Sequence, residues 1–462
     1  MPMLPVDFRA ALEAACFPGR VIHHELEAYG RDETEDLCYM PDLVAEPHSA
    51  EAVAAVLACC NRFGVPLTTR GAGTGLSGGA LPVQAGVVLS TAALNRILRI
   101  DEQNLQAIVE PGVITQQFQE AVEQLGLYYP PDPSSRGSCF IGGNLAESAG
   151  GPRAVKYGTT RDYVLNLELA LPSGELIWTG ANVLKNATGY NLTQLVVGSE
   201  GTLGVITKAV FRLIPYPKHN LLMLVPFKSL ESACAAVSAV FRAGIVPSAL
   251  EFMEREAILW AAEYLKQPIE LPDEVQAHLL IELDGNFPEQ LHQEAEQLYS
   301  LLEDFDTDEV LLAESSEQKE MLWKLRRNVA HAVKATSVYK EEDTVVPRAS
   351  LPQLIRKVKE VGEKYGFQSV CYGHAGDGNV HVNIIKGDLS EQAWQHTVSK
   401  GIREIFEEVH RLGGTISGEH GIGLVQQAYL DIVFDHTQMT LMQGIKRLFD
   451  PKGILNPGKM GV

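Results

Sequence analysis

Residues 70–82, RGAGTGLSGGALP, form a glycine-dense loop that restricts how the surrounding chain can fold. A literal G-x-G-x-x-G pattern begins at Gly73, but a Rossmann loop must open a helix whose N-terminus receives a pyrophosphate. Here Gly78 and Pro82 would break such a helix at once, and residues 86–90 (GVVLS) resume as a strand. The sequence therefore predicts a long strand-to-strand loop, whose backbone amides could still cradle a diphosphate. An NAD-dependent Rossmann enzyme is a poor alternative.

Two more glycine clusters follow, at 130–151 (PPDPSSRGSCFIGGNLAESAGG) and 198–206 (GSEGTLGVI). Glycine permits close approach of a backbone to a ligand. Three such clusters predict a large, flat ligand bound by the first half of the chain.

A histidine pair stands out in residues 371–385, CYGHAGDGNVHVNII. Asp-Gly at 377–378 is a preferred two-residue hairpin turn. Pairing outward from that turn would set His374 opposite His381, with Cβ atoms roughly 4.5–5.5 Å apart, and Asn383 would share the face of His381. The pair could hold a metal ion, or the hairpin could carry two unrelated histidines.

A second polar cluster, SGEHGIG at 417–423, offers Glu419 and His420 between glycines. A carboxylate and a third imidazole favour the metal interpretation of the hairpin. Cys371, another possible ligand, is interpreted as a small buried residue, as is usual for free cysteine.

Composition excludes several classes of protein. A chain of 462 residues is expected to form two or three domains. The formal charge of −20 disfavours nucleic acid as a partner and means that an anionic substrate needs a local basic pocket. No membrane-spanning stretch or signal peptide is recognised, so a cytoplasmic location is expected. Seven cysteines without Cys-x-x-Cys spacing predict reduced thiols, with neither an iron–sulfur cluster nor a zinc ribbon.

The spacing of apolar residues predicts different arrangements of helices and strands in the two halves of the chain. The first half combines a helix at 50–63 with strands at 65–69, 86–90, 107–110, 164–171, 175–179 and 204–214. The second half predicts strands at 220–226 and 278–284 among helices at 229–243, 251–266, 288–303, 316–335 and 394–412. Strands separated by long helices indicate an α+β domain with an antiparallel sheet, to which the histidine hairpin would belong.

Seven motifs, in order over essentially the whole chain, resemble the FAD-linked D-2-hydroxyacid dehydrogenases. This group includes the glycolate oxidase flavin subunit, D-lactate dehydrogenases and D-2-hydroxyglutarate dehydrogenase. The motifs are TRGAGTGLSGGALP, YYPPDPSSRGSCFIGGNLAESAGG, KYGTTRDYV, GSEGTLGVIT, GHAGDGNVHVN, SGEHGIG and LFDPKGILNPGK. The resemblance implies an α+β fold in three parts: a two-part FAD-binding domain of the vanillyl-alcohol-oxidase type at 1–217, an α+β substrate and metal domain with an antiparallel sheet at 218–412, and a helical C-terminal segment at 413–462 that completes the active site.

The same resemblance implies the flavin contacts. The FAD pyrophosphate should lie against the glycine loop, and the isoalloxazine near 131–151 and 198–206. Because the loop contains no His or Cys, FAD is expected to be non-covalent. The implied cofactor residues are Arg70, Gly71, Ala72, Gly73, Thr74, Gly75, Leu76, Ser77, Gly78, Pro131, Asp132, Gly137, Ser138, Gly142, Gly143, Asn144, Gly150, Gly151, Glu200, Gly204, Ile206 and Asn456.

For catalysis, the resemblance implies a divalent metal held by His374, His381 and Glu419, with His420 as the base. Zinc is the first choice, and manganese or iron could use the same ligands. Arg326 matches the arginine that binds the substrate carboxylate through two parallel donors.

Two further matches concern substrate choice. Lys340 aligns with a lysine near the distal carboxylate in hydroxyglutarate enzymes, and Asn383 resembles their His-x-Asn pattern. Ala330 replaces a threonine of that site, and the glycine loop is most similar to glycolate oxidase. D-lactate, glycolate and D-2-hydroxyglutarate therefore all remain candidates.

The expected reaction is oxidation of a D-2-hydroxyacid to the 2-oxoacid, with hydride transfer to flavin N5. Electrons would pass to a quinone, an electron-transfer flavoprotein or an iron–sulfur subunit, and direct use of O₂ is less favoured. A homodimer is possible. A metal-dependent hydrolase and a non-catalytic subunit of a glycolate oxidase-type complex are the alternatives.

Overall fold

A computed structural model describes residues 4–34, 37–267, 269 and 271–462. In chain order the strands are β1 Arg20–Ile22, β2 Leu43–Glu46, β3 Leu67–Arg70, β4 Val87–Ser90, β5 Ile97–Asp101, β6 Gln106–Val109, β7 Leu127–Tyr128, β8 Val164–Ala170, β9 Leu176–Trp178, β10 Val205–Arg212, β11 Ile214–Pro215, β12 His219–Phe227, β13 Ala249–Glu254, β14 Ala277–Gly285, β15 Leu311–Ala313, β16 Tyr339–Val345, β17 Gln368–Gly373 and β18 Asn379–Ile385. The helices are α1 Phe8–Cys16, α2 Ala50–Phe63, α3 Thr115–Glu123, α4 Ile141–Glu147, α5 Ala154–Tyr157, α6 Thr160–Tyr163, α7 Leu192–Val196, α8 Leu230–Arg242, α9 Arg255–Tyr264, α10 Pro288–Leu302, α11 Ser316–Arg327, α12 Val329–Thr336, α13 Leu351–Tyr365, α14 Val398–Arg411, α15 Leu430–Val433 and α16 His436–Phe449. A π-helical turn, Ala393–Thr397, precedes α14.

The chain divides into two compact units. The first contains the described residues up to Gly150, Gly158–Tyr216 and Glu419–Val462, and the second contains Gly151–Tyr157 and Pro217–Gly418. This division differs from the predicted boundaries at two places. Most of the C-terminal segment, Glu419–Val462, belongs to the first unit, and Gly151–Tyr157, which starts at the last glycine of the second cluster, belongs to the second.

The first unit is built on two main sheets, with strand orders β1-β2-β4-β3 and β5-β6-β10-β8-β9. In the smaller sheet, β2 and β3 both run parallel to β4. Helix α2 coincides with the predicted 50–63; the Ser49 side chain caps its start and Gly64, with φ of +66°, ends it. The helix buries Val53 and Leu57 in a core that includes residues of the smaller sheet and also Ala170 of β8 and Val205 of β10.

Residues 71–86 connect β3 to β4 without forming a helix. Arg70 and Ser90 are register partners at the ends of these parallel strands. The predicted strand-to-strand loop is confirmed, and a Rossmann loop is excluded.

The C-terminal segment extends the smaller sheet beyond β3. The amide of Leu67 donates to the carbonyl of Ile454 at 2.8 Å, and the amide of Asn456 donates to the carbonyl of Leu67 at 2.8 Å. Leu455 is fully buried in the core of this sheet. The chain end is therefore an integral part of the first unit.

The second unit is built on an antiparallel sheet of seven strands, ordered β15-β12-β14-β13-β17-β18-β16. This confirms the predicted α+β unit with an antiparallel sheet. The helix predicted at 251–266 was wrong for its first residues, because Ala249–Glu254 is a strand and the helix begins at Arg255. All six residues of that strand are buried, so it lacks the alternation that marks a half-exposed strand.

Helices cover both faces of this sheet. On one face, Met253 and Tyr372 pack with Ala261 of α9 and Val333 of α12. On the other face, Lys359 of α13 bonds to Glu254 at 2.9 Å. The helix predicted at 316–335 is two helices, α11 and α12, separated at Asn328. Within the described part of the chain, every helix is too short or too polar to span a bilayer.

Candidate active site

The two histidines lie close together, but not through the predicted two-residue turn. Strand β17 ends at Gly373 and β18 begins at Asn379, with a 3₁₀ turn between them. His381 is paired with Tyr372, so His374 lies outside the strand ladder. Gly378 takes φ of +77°, whereas Asp377 does not adopt positive φ as a type I′ turn requires. The imidazole centroids are nevertheless 5.5 Å apart.

Glu251 joins His374 to Arg326. Nδ1 of His374 lies 2.9 Å from both carboxylate oxygens of Glu251, and Nη2 of Arg326 lies 2.5 Å from Oε2. The Glu251 side chain is fully buried. Burial raises the pKa of this carboxyl, but His374 and Arg326 outweigh that effect and leave the pKa below its ordinary value. A carboxylate bound at Nδ1 favours the tautomer whose Nε2 is available to a metal.

The strand register defines the site face of the sheet. Glu341 on β16 is paired with Asn383 on β18. Asp343 on β16 is paired with His381 on β18, which is also paired with Tyr372 on β17. All five side chains are on the same face of the sheet. The Tyr372 hydroxyl donates to Glu341 over 3.3 Å. Nδ1 of His381 lies 3.6 Å from Glu341 and 3.8 Å from Asp343.

Arg326 lies over this face as well. Its guanidinium carbon is 5.1 Å from the Tyr372 ring centroid. Its Nε atom, although buried, has no hydrogen-bond partner among the described residues, and the same holds for both side-chain amide atoms of Asn383. Buried polar atoms are nearly always paired, so these orphaned groups indicate that a polar ligand belongs here.

Lys340 is on the opposite face of the sheet. It is the register partner of Ile384, one residue out of phase with the Glu341–Asn383 pair. Its Nζ lies 5.1 Å from the ring centroid of Trp394, in the π-helical turn. The structure therefore does not bring Lys340 together with the other predicted site residues, because a strand turns alternate side chains to opposite faces.

Asp343 forms hydrogen bonds with Ser417 and Gly418, the last residues of the second unit. Its Oδ2 accepts from the Ser417 hydroxyl at 3.0 Å and from the Gly418 amide at 2.7 Å. Its Oδ1 accepts from Asn379 at 2.7 Å. Residues 417 and 418 are thus fixed to the strand that pairs with His381.

Glu419 and His420 follow directly and belong to the first unit, where both are half-buried. An oxygen of Glu419 lies 2.9 Å from the position that a Cβ of Gly150 would occupy. Gly150 therefore leaves space for the Glu419 carboxylate.

Five of the predicted flavin glycines of the first unit fall into two groups. A Cβ at Gly75 or Gly143 would meet no described atom within 4 Å, so these positions leave open space for a ligand. A Cβ at Gly78 would lie 3.0 Å from Leu424. A Cβ at Gly142 would lie 2.7 Å from Pro111, and one at Gly204 would lie 2.7 Å from Leu169. These three glycines permit close packing of the protein itself.

Several predicted cofactor side chains are already engaged within the first unit. The Glu200 carboxylate accepts from the amides of Ile422 and Gly423 at 2.8 Å each. Asn456 accepts from the Thr69 amide at 2.8 Å and donates to the Glu200 carbonyl at 2.7 Å. These side chains position the backbone around the loop.

The remaining predicted cofactor positions divide between the two units. Asn144 donates to Thr115 at 2.6 Å, and Ile206 lies in β10. Gly151 is the first residue of the short segment in the second unit. The glycine loop or the stretch between β7 and α4 carries Arg70, Gly71, Ala72, Gly73, Thr74, Leu76, Ser77, Pro131, Asp132, Gly137 and Ser138.

Two family models match the chain and together define a flavin-dependent oxidoreductase. A family model for FAD binding domains matches residues 41–180, and the model for the C-terminal domain of FAD linked oxidases matches residues 216–460. The chain belongs to the FAD-linked oxidase family.

Relatives of known name extend over nearly the whole chain. The glycolate oxidase subunit GlcD of Bacillus subtilis is 40% identical, covering 94% of this chain and 91% of its own. A D-lactate dehydrogenase of Anaerostipes hadrus is 38% identical, covering 95% and 92%. A D-2-hydroxyglutarate dehydrogenase of Stutzerimonas stutzeri is 33% identical, covering 96% of each chain.

Solved structures support the fold. Substrate-bound p-cresol methylhydroxylase superposes with a TM-score of 0.80 at 19% identity, covering 99% of this chain and 96% of that one. The likeness places the chain in the predicted flavin fold.

Proposed function

We propose that this protein oxidises a D-2-hydroxyacid to the corresponding 2-oxoacid. The observation that carries the proposal is the buried group of His374, His381, Arg326 and Asn383 on one sheet face, with polar atoms left for a ligand. The named relatives act on glycolate, D-lactate and D-2-hydroxyglutarate, and all three compounds are 2-hydroxyacids.

In this proposal Arg326 binds the substrate carboxylate. Glu251 forms an ion pair with Arg326 and compensates the buried charge, while Nε and Nη2 of Arg326 have no hydrogen-bond partner among the described residues. A planar guanidinium fixes the orientation of a carboxylate as well as its charge. Asn383 supplies one more donor and one more acceptor.

His374 and His381 fit a divalent metal. Glu251 binds His374 through Nδ1 and so leaves Nε2 as the ligand atom. Glu419 is the proposed third ligand, since the tether of Gly418 to Asp343 fixes the residue immediately before it. When bound, such a cation lowers the pKa of a coordinated hydroxyl, and zinc, manganese or iron accepts these ligands.

His420 is the proposed base. A neutral imidazole can accept the hydroxyl proton near physiological pH. The substrate loses that proton to His420 and a hydride from Cα, which leaves a 2-oxoacid. Bound FAD, proposed to be non-covalent, supplies the hydride acceptor.

The electrons must then leave for another carrier. Among the described residues, the side-chain groups that could hold a metal ion contain no cysteine, so an iron–sulfur cluster on another carrier is the more economical proposal. A quinone, an electron-transfer flavoprotein or a separate iron–sulfur subunit is proposed as the acceptor. The relative named as a glycolate oxidase subunit supports a complex of this kind.

An anaerobic titration tests the proposal. Purified protein is mixed with glycolate, D-lactate, D-malate or D-2-hydroxyglutarate, with L-lactate as the stereochemical control, and bleaching of the yellow flavin band is followed. At least one D-acid or glycolate should bleach the flavin, and His420→Ala should slow this by roughly 10²-fold or more. A flavin that no 2-hydroxyacid reduces would refute the function.

The metal and the flavin linkage need separate readouts. Metal content per chain should fall in His374→Ala, while the FAD content stays unchanged. Denaturation should release the FAD into solution. A metal content at background in the untreated protein would remove the metal from the proposal without affecting the flavin chemistry.

A further inference from the structure

Glu341 is an acidic side chain on the site face that the sequence motifs do not include. Its carboxylate accepts from the Tyr372 hydroxyl over 3.3 Å and lies 3.6 Å from Nδ1 of His381. Its register partner is Asn383, whose amide atoms are unsatisfied. The Glu341 side chain is only 12% exposed, so little solvent screens its charge.

Tyr372 connects Glu341 to Arg326. The arginine lies over the tyrosine ring at 5.1 Å, and the glutamate binds the hydroxyl of the same residue. The Tyr372 side chain therefore lies between the Arg326 cation and the Glu341 anion on the site face of the sheet. A small acid whose carboxylate binds Arg326 would extend its remaining carbons within reach of Glu341.

We infer that Glu341 is a specificity-determining residue that restricts the substrate to 2-hydroxyacids with a single carboxylate. The inference rests on the proposed function and narrows its substrate class. A second carboxylate on the substrate would face Glu341 at close range, and juxtaposed like charges reject a wrong partner. Glycolate and D-lactate carry no such group, whereas D-malate and D-2-hydroxyglutarate do.

The opposite prediction would follow if Lys340 faced the substrate. A lysine beside the distal carboxylate would favour diacids, but the register turns Lys340 towards Trp394 on the other face. Lys340 at the site would favour diacids, whereas Glu341 would disfavour them. The strand register places Glu341, and not Lys340, on the site face.

The test compares kcat/KM for D-lactate with that for D-malate and D-2-hydroxyglutarate in the wild type, Glu341→Gln and Lys340→Met. The wild type should prefer D-lactate by about 10²-fold or more. Glu341→Gln keeps the size of the side chain and removes its charge. It should narrow that preference by roughly 10-fold, mainly by lowering KM for the diacids. Lys340→Met should leave the preference unchanged.

A binding measurement distinguishes a change in substrate preference from a general loss of activity in the variant. Spectral titration of the bound flavin with pyruvate and 2-oxoglutarate should show tighter binding of the diacid to Glu341→Gln than to wild type. Wild-type oxidation of a diacid as fast as D-lactate, or an unchanged preference in Glu341→Gln, would overturn the inference alone. Failure of every acid to reduce the flavin would overturn the proposed function and this inference together.

Discussion

Nδ1 of His374 lies within 2.9 Å of both carboxylate oxygens of Glu251, in the interior of the seven-stranded sheet. The same carboxylate pairs with Arg326. One buried anion thus fixes the ring orientation of a proposed metal ligand and balances the charge of a proposed substrate-binding residue. Both proposed roles depend on the same side chain.

Replacing Glu251 by Gln should therefore harm both stability and activity. Removing one partner of a buried ion pair costs about 3–5 kcal/mol, and loss of the carboxylate behind a metal-binding histidine reduces metal affinity by about 10–100-fold. Denaturant unfolding and metal titration measure the two effects.

Glu254 provides the matched control, because it lies on the same strand, is buried, and pairs with Lys359 on the opposite sheet face. Glu254→Gln should lose stability but keep its metal affinity. Equal loss of metal affinity in both variants would show that the Glu251 effect is only general destabilisation.

The turn before β18 should tolerate no side chain at Gly378. Gly378 and Gly366 share φ of +77°, but a Cβ at Gly378 would lie 1.9 Å from the carbonyl oxygen of Val346, whereas a Cβ at Gly366 would meet nothing within 4 Å. Gly366→Ala should cost about 1–2 kcal/mol for its left-handed backbone alone. Gly378→Ala should cost more, on the order of 3 kcal/mol or above.

Thermal or denaturant unfolding of the two variants checks this difference. Gly378→Ala should also lower turnover, since the turn carries His374. Similar stability losses in the two variants would contradict the close contact with Val346.

Much of the fold was predictable because its signals are local. The caps of α2 at Ser49 and Gly64 are visible in the sequence, and helix-breaking residues such as Pro82 exclude a Rossmann loop. The histidine pair was found for a partly wrong reason. The real register pairs His381 with Tyr372 rather than with His374, a shift of two residues, which preserves the face on which His381 points.

The residues that the sequence did not reveal depend on strand phase. Glu251 was missed because a strand buried on both faces shows no alternation and was predicted as helix. In β16, YKEEDTV, charged residues occupy both faces, so no apolar pattern shows whether Lys340 or Glu341 faces the site. Only the pairing with β18 settles this. A useful signal was the alternation of Glu341 and Asp343, which places two acids on one face of a strand.

Loss of Asp343 should reduce turnover more than flavin binding. Its carboxylate holds Ser417 and Gly418 at 3.0 and 2.7 Å, and the proposed ligand Glu419 and base His420 come next in the chain. We expect Asp343→Ala to lower kcat by roughly 10²-fold, because a small misplacement of catalytic groups has effects of that size. FAD content should stay near that of the wild type.

Steady-state kinetics and flavin absorbance measure the two quantities for Asp343→Ala. The control is Glu342→Gln, since Glu342 is the next residue on β16 and points to the opposite face. A loss of FAD that parallels the loss of kcat would mean that Asp343 supports the whole fold rather than this segment.

Glu147 should make the stability of the protein depend on pH. Burial and the neighbouring Glu200 raise the pKa of its carboxyl well above the ordinary value of 4.5, and the Lys459 charge only partly opposes this. Its Oε2 atom has no hydrogen-bond partner among the described residues. The folded state therefore binds a proton that the unfolded state releases above about pH 4.5, and stability must fall as pH rises from there through the raised pKa.

Lys459 acts in a different pH range. Burial lowers the pKa of its amine to about 8 from 10.5, so the unfolded state holds more protons than the folded state only between these values. Its contribution therefore raises stability with pH above about 8 and is constant below. His278 also opposes Glu147, because burial lowers the pKa of its imidazole to about 4 from 6.5 and its contribution raises stability with pH between these values. Measurements between about pH 6.5 and pH 8 avoid both Lys459 and His278.

Glu147→Gln should consequently be more stable than the wild type at about pH 8 and show a shallower decline between about pH 6.5 and pH 8. The steepest slope for one proton is about 1.4 kcal/mol per pH unit. Glu200 remains and its pKa is also raised by burial, so some slope persists. The exposed Glu102 gives a control, Glu102→Gln, which should leave the curve unchanged. Denaturant unfolding of the FAD-loaded protein at several pH values measures the slopes, and a Glu147→Gln curve parallel to the wild-type curve would show that Glu147 is ionised in the folded state.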